Sequence, residues 1–415
     1  MRLFDLRRRS SEDAIRVSAT VVWEDSERPA REIWAEVAPA LGPALADELD
    51  GFAVAAAVTA QDHGERRLLV EGTLCPRLRD GLAAAVALLA NWFGTGSSPV
   101  IEASGGPAPR FPADPPRAAV FLSGGLDSLF SIARNRDRYP AGHPASFRDA
   151  IVLDGYIFAP ADPSRRSEDY WRRTRRATSA LARAANLEPI FVRTNLRILD
   201  EGFTFFAAKY HSAALAAVAH LLSRRISSAS IAADLDVAKL RPWGSHPVLD
   251  PLYSGSALAI LHEGIEASRI EKAARIAAWP EGLASLMVCT QGPLESGSLN
   301  CGRCEKCLRT LAALGPSAAG AARFERADVT PAILDEVDPG LHAWAVAGFW
   351  GDLAETFRAR GRDDLAAAAA GLVRRARTAE RWGLHRGWKG ALRRFDRRFL
   401  GSALLRASRR LRSSG

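Results

Sequence analysis

The six residues Ser123-Gly124-Gly125-Leu126-Asp127-Ser128 bring together what an oxyanion site needs. Two adjacent glycines let backbone N–H groups approach an anion, because no Cβ stands in the way. Two serine hydroxyls add donors. The apolar run AAVFL (118–122) before them and LFSIARNR (129–136) after them predict a strand turning into a helix. The hexapeptide then lies at a helix N-terminus, where the helix dipole favours a phosphate. No Gly-Lys-Ser/Thr follows and no G-x-G-x-x-G is present, which excludes the P-loop of the common ATPases and the dinucleotide fingerprint.

A second constellation is VCTQGPLESGSLNCGRCEKCLRT, which carries Cys289, Cys301, Cys304 and Cys307 in the spacing C-x11-C-x2-C-x2-C. Each C-x2-C lets one turn of chain offer two thiolates to one tetrahedral ion, and Gly302 relieves the tight backbone. Four thiolates with no position left for water read as a closed, structural zinc site. An iron–sulfur cluster is the rival. The bacterial ferredoxin run, however, needs a Cys-Pro just downstream, and Leu308-Arg309-Thr310 stands there instead. The fifth cysteine, Cys75, is isolated and suggests no chemistry.

The hexapeptide resembles the PP-loop of the ATP pyrophosphatase superfamily. Followed by a late CGxCxxC with one cysteine upstream, it is similar to the 7-cyano-7-deazaguanine synthases of queuosine biosynthesis. The similarity covers about 118–312. The gap after Cys289 is longer than in those synthases, their substrate-contacting motifs are not evident, and the N-terminal region and tail are extra, so the resemblance is to a synthase-like branch. It implies a parallel-sheet, Rossmann-like α/β domain of the adenine nucleotide alpha hydrolase type. It also implies ATP bound through Ser123, Gly124, Gly125, Leu126, Asp127 and Ser128, with Asp154 at the end of the next strand (AIVLDGY) near the adenosine. Asp127 and Lys272, the latter in EASRIEKAARIA (266–277), become the catalytic candidates, and a lysine there would neutralise departing pyrophosphate. Magnesium is expected with ATP, and the reaction implied is adenylation of a carboxylate or carbonyl oxygen followed by attack of ammonia. A PP-loop sulfur transferase with an iron–sulfur cluster is the enzymatic alternative. A nucleotide-binding module without turnover, docked on nucleic acid, is the alternative from another class.

Residues 237–256 (VAKLRPWGSHPVLDPLYSGS) form a long Pro- and Gly-rich stretch after a predicted strand ending at Asp236. Parallel sheets bind ligands at the carboxyl ends of their strands, and long irregular loops usually have work to do. Arg241, Trp243, His246 and Asp250 supply a cation, a stacking face, a base and a carboxylate. These suit a planar, acidic or nucleobase-like small substrate. Asp234 and Asp236 are open to magnesium or to a plain strand-end turn. His211 and His220, nine residues apart on a predicted helix, read as satisfied helix histidines.

The elements that must hold these residues alternate after 117. Strands are expected at 118–122, 150–158, 188–196 and 228–236, with helices at 129–136, 166–186 and 206–225, which is the βαβ pattern of a covered parallel sheet. Before it, strands at 14–24, 52–59 and 66–72 and a helix at 76–93 opened by Pro76 predict a separate α+β domain over 1–105. Residues 106–117 read as a linker, 118–312 as the ATP-binding domain, and 313–415 as helical and Arg-rich.

Of 415 residues, 47% are hydrophobic, enough for a substantial core. The net charge of +9 is unevenly spread. Residues 374–415 hold thirteen Arg and one Lys against two acids, a net +12, which leaves −3 for the rest. In the tail, Phe395, Phe399, Leu404 and Leu405 stand among arginines. Contact with a polyanion, a membrane surface or the protein's own body are the three readings. The N-terminus lacks the apolar core of a signal peptide and no stretch is long and apolar enough to span a bilayer, so a cytoplasmic location is expected.

Overall fold

A computed structural model describes residues 1–96, 98–154, 168–289, 298–321, 323–340, 342–382 and 392. Its strands are β1 (Arg2–Ser10), β2 (Ile15–Val22), β3 (Arg31–Val37), β4 (Arg67–Val70), β5 (Val100–Ala103), β6 (Ala118–Phe121), β7 (Phe147–Asp154), β8 (Glu188–Thr194), β9 (Ser228–Ala232) and β10 (Ala259–Glu263). They form one sheet in the order β10-β9-β6-β7-β8-β3-β2-β1-β4-β5. Pairing is antiparallel across β8–β3, β3–β2 and β2–β1, and parallel elsewhere. The molecule is thus α/β with a mostly parallel sheet and helices, consistent with a Rossmann-like fold.

Within the five strands from β6 to β10 the spatial order is third, second, first, fourth, fifth. The winding reverses between β6 and β9, and such a switch point opens a crevice beyond the carboxyl ends of the two strands. Ala118–Phe121 are all buried, as a strand covered on both faces requires. The chain leaves β6 directly into 122–125, so the hexapeptide emerges at that crevice.

Contact between chain segments divides the protein into two compact units, 1–300 with 319–323 and 301–318 with 324–415. The expected boundary at 105–117 does not separate two bodies. Ala35 pairs with Thr194 and Glu36 with Arg193, so β3 extends the parallel sheet. One apolar cluster runs from Leu3, Val17 and Phe52 through Ala119, Ile151 and Tyr210 to Ile260. Residues 1–105 complete the sheet's core.

Residues 52–59 belong to a buried helix, Asp50–Asp62, not a strand. Its five alanines are the best helix formers, and an all-apolar run carries no periodicity to separate the two states. Here the helix packs on the equally buried helix His211–Leu221. A Cβ on Gly51 would stand 2.6 Å from the Ala217 carbonyl oxygen, so the two backbones approach closely only because Gly51 has none. The helix Pro76–Phe93 has the expected bounds and ends at Gly94 in the left-handed conformation, φ 63°.

The second unit contains the helices Glu305–Leu314, Pro331–Glu336, Ala343–Ala359 and Asp363–Arg381. The last two pack together around Trp350, Leu353, Phe357, Leu365 and Leu372. Trp350 Nε1–H donates to Glu305 Oε1 at 2.9 Å, tying them to the helix that carries Cys307. Apart from residue 392, the tail from 383, with Phe395, Phe399, Leu404 and Leu405, lies outside the described residues. No helix among those described is long and apolar enough to cross a membrane.

Candidate active site

The hexapeptide forms the predicted strand–turn–helix. Gly124 sits at φ +72°, a conformation that L side chains rarely adopt. Gly125 is the N-cap of the helix Leu126–Arg138. Leu126 is buried and anchors the first turn. The loop's polar groups bond one another: Gly125 N–H donates to Ser123 Oγ at 3.2 Å, Ser128 Oγ donates to the Gly125 carbonyl at 3.0 Å, and the two hydroxyls stand 3.2 Å apart. The 3.2 Å contacts are at the long end for hydrogen bonds, so a ligand oxygen could replace them at little cost.

The following segment closes over Gly124. Met287 N–H donates to the Gly124 carbonyl at 2.8 Å, and a Cβ on Gly124 would come within 3.1 Å of Met287 Cβ. Fully buried Asn300 holds that segment. Its side-chain oxygen accepts from the N–H groups of Val288 and Cys289, and its amide donates to the Leu286 carbonyl.

Asp127 is the acid of the loop. Lys272 Nζ lies 3.3 Å from Asp127 Oδ1, and an Arg269 guanidinium nitrogen lies 3.4 Å from each carboxylate oxygen. Both cations are buried, Lys272 to 2% exposure. Their helix, Arg269–Ala277, is fixed by a capping box in which Ser268 and Glu271 bond each other's backbone, so residues 269 and 272 share its loop-facing side. Lys272 also donates to the Ala233 carbonyl at the end of β9 and lies over the Phe130 ring. Two cations thus converge on one carboxylate beside a helix N-terminus. A lysine and an arginine beside a helix N-terminus form a donor set that suits an anion.

The cysteines also come together. One ligand atom from each of Cys289, Cys301, Cys304 and Cys307 lies within 4.8 Å of the others, so the set could hold a metal ion such as zinc. Cys301 Sγ and Cys307 Sγ are 3.9 Å apart, and the backbone N–H groups of Arg303 and Cys304 donate to Cys301 Sγ. Such bonds favour the thiolate. Gly302 makes the turn at φ +65°, where a Cβ would stand 2.0 Å from the Arg326 carbonyl oxygen.

No family model matches the chain, and neither a curated protein nor a solved structure does. The reading of the site therefore rests on its own chemistry.

The other sequence-predicted residues have structural partners. Asp154 ends β7 and accepts from Arg193 Nε at 3.1 Å. Asp234 accepts from Trp243 Nε1–H, and Asp236 N-caps a short 3-10 turn and pairs with Lys239. Arg241 is exposed. Beyond Gly244 the loop leaves the carboxyl end of β9 and packs beneath the N-terminal half. Leu252 fits against Gly81, and Ser256 bonds Cys75 and Arg110. Asp250, fully buried, accepts from Ser245 Oγ and the His246 N–H and stands 2.7 Å from His262 Nδ1, so it clamps the loop from inside. The His246 ring rests on Trp92, and burial pushes its pKa down. His211 and His220 bond backbone carbonyls. Arg269, which joins Asp127, was legible only as the residue one turn before Lys272.

Proposed function

We propose that the chain is an ATP-dependent, AMP- and pyrophosphate-forming enzyme of the PP-loop type, similar to the 7-cyano-7-deazaguanine synthases. It adenylates a carboxylate or carbonyl oxygen of a small or nucleobase-like substrate, and ammonia or another nitrogen nucleophile then displaces AMP. The observation that carries the reading is the Ser-Gly-Gly-Leu-Asp-Ser turn at the sheet's switch point, with the buried pair Arg269 and Lys272 drawn to Asp127.

The N–H groups of Gly124 and Gly125 and the hydroxyls of Ser123 and Ser128 would donate to the β and γ phosphates, leaving the α phosphorus open. The substrate oxygen bonds to that phosphorus as its bond to the bridging oxygen breaks, and pyrophosphate leaves with the electron pair. Lys272 and Arg269 stand where that negative charge grows, and their burial strengthens the attraction. Magnesium would arrive on the triphosphate.

The four cysteines would hold structural zinc. Sulfurs about 2.3 Å from one tetrahedral ion are about 3.8 Å apart, close to the 3.9 Å between Cys301 and Cys307. A cluster of several irons would hold its cysteine sulfurs further apart, because ions and sulfides lie between them. Incubation with Mg-ATP and candidate carboxylic acids or nucleobases tests the reading. AMP and pyrophosphate are the expected products, and ADP would refute the reaction type.

A further inference from the structure

The helix Glu168–Ala184 carries a feature that adenylation does not use. The helix opens on Glu168-Asp169, and from Trp171 to Leu187 there follow five arginines and no acid. Arg172, Arg175, Arg176 and Arg183 are exposed, and at 100° per residue they fall within an arc of about 100°. Trp171, Ala177, Leu181 and Ala182, on the other side, are buried where the helix packs on β7 and β8. Arg173 and Arg176 stand three residues apart, a spacing that costs stability when charges are alike.

The helix runs back to the start of β8, so its first turns lie at the end of the sheet where β6 delivers the Ser123–Ser128 loop. Arg175 lies over the Phe191 ring at 4.7 Å, which stiffens the face. We propose that this arginine face binds the sugar–phosphate backbone of a nucleic acid. Four guanidinium groups along about 16 Å of helix match the length over which one duplex strand presents about five phosphates. An anionic membrane fits less well. A surface helix needs apolar residues beside its charges, and none of the exposed large apolar side chains among the described residues belongs to this helix.

The test is binding of a labelled short RNA, single-stranded and as a duplex, to the full chain across a salt series. A triple variant, Arg172→Gln with Arg176→Gln and Arg183→Gln, is measured beside it; Arg175 is kept because it covers an aromatic ring. The expected result is binding that weakens steeply with salt. The variant's log–log slope should be shallower by about two to three, equivalent to roughly 100-fold weaker binding at 0.1 M salt. Its ATP binding should be unchanged and its melting temperature no lower, which separates failure of this proposal from failure of the adenylation reading. Wild-type protein that binds no RNA at low salt would overturn the proposal. So would a variant with an unaltered slope, which would assign binding to the tail, or binding to phosphatidylglycerol vesicles alone.

Discussion

Gly124 and Gly125 look alike in sequence and make different demands. Gly124 needs its positive φ, and Met287 presses on it, so Gly124→Ala is expected to lower the melting temperature. Gly125 has an ordinary backbone, and an added Cβ would meet Ser123 Oγ at 3.2 Å and the Met287 carbonyl oxygen at 3.9 Å, the latter an ordinary contact. Gly125→Val should therefore fold normally yet lose ATP turnover by about 100-fold or more, because its branches occupy phosphate space. Ser123→Ala, which removes one donor among several, should cost about tenfold. Asp127→Asn removes the charge to which Arg269 and Lys272 are both drawn and should lower stability in urea unfolding by about 2 kcal/mol. Residue types were enough to find this loop, because few structural purposes need that combination. They left the roles of Asp250 and His246 open: a carboxylate and an imidazole that could bind a substrate can also hold a loop, as the bonds of Asp250 to Ser245 and the His246 N–H do.

At the scale of elements, Gly302 decides whether the chain can turn between Cys301 and Cys304. Gly302→Ala should cost about 3 kcal/mol through backbone strain and contact with the Arg326 carbonyl, read out as zinc lost from purified protein. The helix His211–Leu221 carries a pH signature. Burial holds the pKa of His220 below the ordinary histidine range while its Nε2–H donates to the Tyr253 carbonyl. Above about pH 6.5 both folded and unfolded states are neutral there and the group has no effect. As pH falls below that value the unfolded chain takes up a proton first, so stability declines until the folded histidine also titrates. His220→Gln should flatten this part of the stability–pH curve, measured by thermal melts from pH 7.5 to about 5. Strong punctuation made one helix legible, with Pro76 at its start and the expected bounds 76–93. β1 was not, because Leu3 is its buried residue while Arg7, Arg8 and Arg9 face solvent and a bulge with Asp5 at φ 59° breaks its alternation.

For the whole molecule, the sheet matters more than the apparent linker. A Pro- and Gly-rich stretch such as 106–117 marks an irregular connection, but pairing between β3 and β8 is non-local and leaves no trace in sequence. Residues 118–300 expressed alone should be insoluble or unfold far below the full chain, since the cut uncovers one edge of β8 and removes half of the shared core. A soluble fragment with an unchanged melting temperature would show that the halves are independent. Zinc analysis belongs to this scale as well. About one colourless ion per chain is expected, with any of Cys289, Cys301, Cys304 or Cys307 changed to Ser costing stability before chemistry. A brown protein would point to an iron–sulfur cluster.

The most direct measurement is equilibrium binding of Mg-ATP to the wild-type chain and to Gly125→Val, both shown folded by circular dichroism. If the Ser123–Ser128 turn cradles phosphate, the wild type binds with the nucleotide displaceable by pyrophosphate, and the variant binds at least about 100-fold more weakly. Equal binding by the two proteins, or none by the wild type, would contradict it.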